Sequence, residues 1–280
     1  MYKKEKRELT QLQEARLIIE VVKNIRQEQP RIGVRKLQVL LKEILNRQGV
    51  KIGRDGLFDL LREFDMLVKR SRYKHYSTES RHLYYKYPNQ IKNIQINKPN
   101  QLWVGDITYI ETAEGFCYLF VLTDGYSHKI VGHCLSESYS VKGAIAALKM
   151  ALQYNRIQPG FVHHTDRGIQ YCSKEYTSIL KQQNAIISMT ENGDPYENAI
   201  AERVNGILKT ELLKTRYRNG LEAREEVDKA IKIYNNKRPH MSIGLLTPHI
   251  AHQQSEPLKK LWKPRQYLKT KKSNQETLVL

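Results

Sequence analysis

The run NQLWVGDITYI (100–110) most constrains the fold, because there the chain drops the helical spacing that precedes it and alternates as a strand does. Two further β-favouring runs follow, GFCYLFVLTDG and HKIVGHCLSES, and the Asp124-Gly125 pair between them is a hairpin signal. Three consecutive antiparallel strands are expected. SVKGAIAALKMALQYN then sets Val141, Ala144, Ile145, Leu148 and Leu152 on one helical face, and GFVHHTD reads as a strand returning to the sheet. SKEYTSILKQQN is a further helix, AIISMT a short buried strand, and a long last helix begins near Pro195 with Asp194 as its cap. The predicted order is βββαβαβα, an α/β unit.

Upstream the period is helical. Leu9, Leu12, Leu17, Ile18, Val21, Val22 and Ile25 recur near helical spacing. Leu37, Leu40, Leu41, Ile44 and Leu45 do so strictly, and Leu57, Leu60, Leu61, Phe64 and Leu67 form a third stripe. Residues 8 to 68 therefore read as a small all-α unit, either of helix-turn-helix type or an ordinary bundle. The segment 68 to 93 carries seven Lys/Arg against one acid, Glu79, with tyrosines at 73, 76, 84, 85 and 87. Such residues neutralise phosphates and stack on bases, unless the segment is only a solvated linker. The chain divides into a helical unit (1–70), a basic aromatic linker (71–98), a core (99–218), a C-terminal part of that core (219–252) and a basic tail (253–280) holding Trp262 and Tyr267.

Charge narrows the partners. With 47 Lys+Arg against 29 Asp+Glu the formal charge is +18, which favours a polyanion, nucleic acid before an acidic membrane surface. No stretch approaches the roughly 20 apolar residues that span a bilayer, so a soluble, intracellular chain is expected. Cys117, Cys134 and Cys172 lack CxxC pairing, indicating neither a disulfide framework nor a zinc knuckle; they read as buried small hydrophobes.

Chemistry on a phosphodiester is served by two divalent cations held by carboxylates, and the sequence offers one set placed for it: Asp106 in the first strand, Asp166 after the fourth, and Glu202 on the last helix. Each has a plainer reading. Asp106 interrupts an apolar strand, Asp166 precedes Arg167-Gly168 as a turn-forming acid does, and Glu202 on a polar helix face could simply be solvated. Asn198, Asn205 and Lys209 share Glu202's face, while Ile200, Val204, Ile207 and Leu208 form the buried stripe. Glu211 is half a turn out of phase, Asp124 fits its hairpin, and Glu197 is the stronger rival to Glu202.

Four ordered stretches, WVGDITYI, HHTDRGIQY, SMTENGDPYENAIAERVNGILKTE and YNNKRPHMSIGLLTP, resemble the signatures of the transposases of bacterial insertion sequences of the IS-three group, members of the retroviral integrase-like superfamily. RIGVRKLQVLLKEILNRQGVKIGR is similar, more weakly, to the helix-turn-helix region before their core, so the likeness spans about residues 35 to 250. The resemblance implies an RNase H-like catalytic core and a triad of Asp106, Asp166 and Glu202, with 35 residues between the last two, binding two Mg²⁺ or Mn²⁺. It selects Glu202 over Glu197, which stands where the family usually has Asp. Asn198 and His164 match motif positions, the first as a substrate- or ligand-positioning group, the second as a packed imidazole behind the site or a participant in it. Lys209, with Arg35, Lys36, Arg54, Arg70, Arg72 and Lys74, are the candidate DNA contacts.

The activity so implied is a DNA transposase that cuts a strand at the element's end and joins the freed 3′-hydroxyl to another phosphodiester, by copy-out, paste-in movement. A nuclease that cuts without joining, and a non-catalytic DNA-binding protein of a degenerate element, are the alternatives. The resemblance also implies fusion to a smaller upstream reading-frame product, with this chain the downstream frame, homo-oligomers on DNA, and a bacterial cytoplasmic, nucleoid-associated location.

Overall fold

The computed structural model describes residues 2–69, 82–92, 94–191, 198–259 and 261. Three helices open the chain: α1 (Tyr2–Glu28), α2 (Val34–Arg47) and α3 (Arg54–Glu63). Ile18, Val22, Leu37, Leu41, Leu45, Leu57 and Leu61 close into their common core. Helix α3 stops earlier than its apolar stripe suggested. Asp65 turns left-handed (φ 50) and Arg26 Nη1 donates to the Met66 carbonyl at 2.7 Å, so Phe64 and Leu67 lie beyond the helix.

The second body is a five-stranded sheet of β1 (Leu102–Thr112), β2 (Gly115–Asp124), β3 (Ile130–Ser136), β4 (Val162–Thr165) and β5 (Ile186–Met189), in the order β3-β2-β1-β4-β5. The first three strands are antiparallel, and β4 and β5 run parallel to β1 and to each other. Alternation along β1 sorts its side chains. Trp103 and Ile107 face α4 (Val141–Tyr154), α5 (Ile169–Cys172) and α6 (Lys174–Gln182), and Ile110 faces α7 (Ala199–Ile207) and α8 (Gly220–Asn236). Helix α4 lies so close to the sheet that a Cβ on Gly132 would stand 2.2 Å from the Ala147 carbonyl oxygen, and one on Gly143 would stand 2.3 Å from the Phe120 ring. The predicted βββαβαβα order is observed from β1 to α7 with one addition, the four-residue α5 between β4 and α6, and α8 follows. Cys117 and Cys172 are buried; Cys134, expected to be so too, is half-buried.

Asp124 ends β2 fully buried. Its Oδ2 accepts from the Asn100 amide at 2.7 Å and its Oδ1 from the Ser127 amide and hydroxyl at 2.7 and 2.6 Å, so it shapes the turn before β3. Ser127 Oγ also meets His252 Nδ1 at 2.9 Å, tying α9 (Pro248–His252) to that turn. Between α8 and α9 the chain is irregular, as RPH, Gly244 and Pro248 indicated: a 3₁₀ turn (Met241–Ile243) ends at Gly244 with φ +71.

Two joints tie the bodies together. After α7 the chain widens into a π-helical turn (Leu208–Leu212), closed by the Leu213 amide on the Leu208 carbonyl at 2.8 Å. Arg31, past the end of α1, donates from Nη2 to the Lys209 carbonyl at 3.4 Å and also to the Leu213 carbonyl. Glu211 of the π turn accepts from Lys36 Nζ at 2.7 Å and from Arg238 Nε and Nη2 at 2.8 and 2.9 Å. At the second joint the described linker residues follow the outer strand. The Met189 amide donates to the Pro88 carbonyl at 3.4 Å, the Gln90 amide to Ser188 Oγ at 2.8 Å, and the Asn89 amide to Glu191 at 3.3 Å.

Candidate active site

Strand β1 is longer than β4, and their pairing ends at Gly105↔Thr165. Asp106 and Asp166 are the next residue on each, so two acids stand level where parallel strands end, the edge at which open α/β sheets present ligands. Asp106 is fixed from both sides: Oδ1 accepts from the Ile107 amide at 2.9 Å and Oδ2 from Asn205 Nδ2 at 2.8 Å. Asp166 Oδ1 accepts from the Gly168 amide at 3.0 Å, the turn its Arg-Gly sequel suggested. Glu202 lies half-buried in the first turn of α7, one helical turn before Asn205.

Their electrostatics show the three acids to be neighbours. The Asp106 carboxyl is pushed up to about 7, first by burial, then by the negative charge of Asp166, with Glu202 adding a smaller repulsion. The bonds from Asn205 and Ile107 pull the other way without cancelling it. Lys209, in the π turn, is lowered by burial and partly restored by Asp106, which puts its ammonium within that carboxylate's field. Among the described residues no three His, Cys, Asp or Glu side chains converge as a ready-made metal cage. Asp106 and Asp166 share an edge, Glu202 acts on Asp106 from α7, and carboxylate oxygens are the hard donors that Mg²⁺ or Mn²⁺ prefers.

The other predicted residues fall in distinct places. Asn198 caps α7, is buried, and donates from Nδ2 to the Gly105 carbonyl at 3.1 Å, pinning the helix start beside Asp106. The helix expected from Pro195 is thus described from Ala199, its α-helical part ends at Ile207, and Asp194, Pro195 and Glu197 lie outside the described residues. His164 is fully buried with Nδ1 2.8 Å from Ser188 Oγ on the neighbouring strand, the packed-imidazole placement. Arg35 and Arg54 are exposed and line, with Lys42 and Lys51, a cavity of about 710 Å³ between the helical unit and residues 241–245; Arg54 also holds Asp55 at 2.8 Å. Lys36 points the other way, into Glu211, with 14% of its side chain exposed. Arg70, Arg72, Lys74, Tyr73, Tyr76, Trp262 and Tyr267 lie outside the described residues.

Sequence reasoning missed two neighbours of the acids. Tyr139 and Tyr171 both sense Asp166 and Asp106, and burial raises both phenols. Neither follows from spacing, because Tyr139 reaches the site from the loop after β3 and Tyr171 from the short α5.

Residues 96–195 match the integrase core domain family, and a second integrase core domain family matches residues 184–248. The 31 kDa protein of insertion element IS600 from Shigella sonnei is 36% identical over 219 residues, covering 77% of this chain and 79% of that protein. The transposase for insertion sequence element IS904 of Lactococcus lactis is 36% identical over 215 residues, covering 75% and 84%. The chain belongs to the insertion-sequence transposases of the retroviral integrase-like superfamily. Transposase InsF of insertion sequence IS3A from Escherichia coli is a further relative, 39% identical over 152 residues, 54% of this transposase and 53% of InsF. The simian T-cell lymphotropic virus intasome, solved in complex with PP2A regulatory subunit B56 gamma, superposes with a TM-score of 0.50 at 18% identity over 83% of this transposase and 75% of the viral chain, a likeness of fold. The fold is thus the RNase H-like integrase core, carrying an N-terminal helical unit.

Proposed function

We propose that Asp106, Asp166 and Glu202 are the metal-binding triad of a DNA strand transferase that cuts insertion-sequence ends and joins the freed 3′-hydroxyl to a second phosphodiester. The observation that carries this reading is that Asp106 and Asp166 directly follow Gly105 and Thr165, the last residues paired between β1 and β4, while Glu202 acts on Asp106 from the first turn of α7. A carboxylate repelled by two others is stabilised by a divalent cation, and that stabilisation favours their convergence. Mg²⁺ or Mn²⁺, expected as two ions, supplies stabilisation of the attacking and leaving oxygens when bound. Asn205 and the Ile107 amide keep Asp106 in one rotamer, Asn198 fixes the start of the helix that carries Glu202, and Lys209 supplies a positive charge for a phosphate beside Asp106.

In the first reaction a water oxygen bonds to phosphorus, the P–O3′ bond breaks, and the water's proton ends on the departing 3′-oxygen. In the second that 3′-hydroxyl bonds to another phosphorus and displaces a 3′-oxygen there, which takes up the proton. The count of ester bonds is unchanged, so joining needs no external energy source. Arg35 and Arg54 on the helical unit, together with the basic linker residues Arg70, Arg72 and Lys74, track the DNA backbone. Copy-out, paste-in movement, a fusion with the upstream frame product and a homo-oligomer that pairs two ends complete the proposed activity.

The test uses the whole chain and its Asp106→Asn, Asp166→Ala and Glu202→Gln variants. Mg²⁺ or Mn²⁺ should raise the melting temperature of the unaltered chain and lose most of that effect in each variant, and element-end DNA should be cut and joined only by the unaltered chain. Cutting without joined products would instead identify a nuclease. Mg²⁺-dependent joining that survives Asp166→Ala would overturn the triad.

A further inference from the structure

A cavity of about 350 Å³ opens beside the Asp166 loop, lined by Tyr84, Tyr139, Gln170, Ile169, Lys174 and Glu175 among others. It adjoins the carboxylates. Tyr139 senses both Asp166 and Asp106, and a Cβ on Gly168 would stand 3.0 Å from Asp166 Oδ1 and 3.5 Å from Gln170 Oε1, so one glycine separates acid from amide.

The lining has the features of a ligand site rather than a packing gap. Gln170 is 2% exposed; its Nε2 donates to the Tyr139 carbonyl at 3.0 Å, yet its Oε1 has no hydrogen-bond partner among the described residues. A buried acceptor left so is costly unless something donates to it. Tyr84 comes from the basic aromatic linker and is 43% exposed, and Ile169 is 42% exposed. The linker is held over this spot by His82, whose Nε2 lies 2.8 Å from the Arg167 carbonyl oxygen and whose ring meets Tyr84 edge-on at 5.6 Å. Lys174 and Glu175, both exposed at the start of α6, bring one charge of each sign to the rim, and a phosphate is attracted to the Lys174 side. Aromatic faces and a cation at the mouth match the needs of an unpaired nucleotide, and the volume falls at the small end of the roughly 300–1,000 Å³ range of ligand pockets.

We propose that this cavity receives a single unpaired nucleobase of the DNA strand adjoining the phosphodiester at Asp106 and Asp166, against Tyr84 and Tyr139, with Lys174 at the rim meeting its phosphate. The inference rests on the proposed function for the location of that phosphodiester. It gives the linker tyrosine a task, base capture, that neither the helical unit nor the triad performs.

The test needs neither cleavage nor a known element end. Full-length chain is titrated into an oligonucleotide duplex of arbitrary sequence with a short single-stranded extension carrying 2-aminopurine, followed by fluorescence and anisotropy, against a blunt duplex and a copy with an abasic nucleotide in place of the probe. The extension should bind more tightly than the blunt duplex and its fluorescence should be quenched. Tyr84→Ala, an exposed change that spares the core, should weaken extension binding roughly tenfold and leave blunt binding unchanged. The abasic substitution should cost a similar factor, and the two changes together should cost little more than either alone. Equal affinity for base-bearing and abasic extensions, or additive losses, would overturn the proposal. Loss of the pocket effect with DNA joining intact discards the pocket alone; a pocket effect without triad-dependent cleavage discards the catalytic reading alone.

Discussion

Asn205 shows how much of a site is set by a neutral side chain. Its amide Nδ2 donates to Asp106 Oδ2 at 2.8 Å, opposing the repulsion from Asp166 and Glu202. Asn205→Leu keeps the volume and removes the donor. Asp106 should then be harder to ionise, and the Mg²⁺ concentration needed for half of the thermal stabilisation should rise by about 10–100-fold, the usual cost of losing a group that orients a metal ligand. An unchanged Mg²⁺ titration would mean that Asn205 is only packed there. At this scale the sequence was partly legible: Asn205 shares the Glu202 face because helical spacing dictates it, and Asp106 and Asp166 fall level because strand pairing puts successive acids at one edge. The tyrosines near them were not, since a loop residue's position depends on where a distant part of the chain docks.

Among the elements, the π turn after α7 has the largest influence on how the two bodies meet. Periodicity called for one continuous helix, and the extra residue per turn between Leu208 and Leu212 cannot be read from apolar spacing. Its carbonyls receive Arg31, and its Glu211 gathers Lys36 and the nearly buried Arg238. Nine residues past Glu202, Glu211 is out of phase with it and faces Lys36 of the helical unit instead. Glu211→Gln would leave two cations facing each other in partial burial. The expected loss is about 3–5 kcal/mol in denaturant unfolding, with faster proteolysis around residues 29–35. Lys36→Met should cost clearly less, because the Glu211–Arg238 pair survives it. Equal losses for the two would show that the cluster is not the joint.

For the molecule as a whole, acid is the condition that should test its assembly. His128 and His240 lie with ring centroids 4.9 Å apart where the β2–β3 turn meets the segment after α8, and burial holds them down at about 4 and about 2. Unfolded, both take a proton near 6.5. Folded pKa values below that mean the stability they contribute is complete above pH 6.5 and falls as the pH drops toward the folded values, by up to about 1.4 kcal/mol per pH unit for each ring. Melting temperature should therefore fall between pH 6.5 and 4.5, and His240→Asn should flatten that fall. A parallel curve in the variant would assign the acid loss elsewhere. The sequence revealed the order of the strands and of the longer helices of the core, whose composition and spacing differ between strand and helix, but not the four-residue α5; it was silent on contacts between residues far apart in the chain, which no local period encodes.

Residues 88–90 lie along the outer strand of the sheet, with Pro88 and Gln90 bonded to Met189 and Ser188. A boundary at residue 99 is natural for the hydrophobic pattern, but a core cut there would bare the Met189 amide and the Ser188 hydroxyl of an edge strand, groups that invite pairing with another chain. A core beginning at residue 99 should therefore self-associate more readily than one beginning at residue 82, a difference that size-exclusion chromatography of the two pieces reads directly.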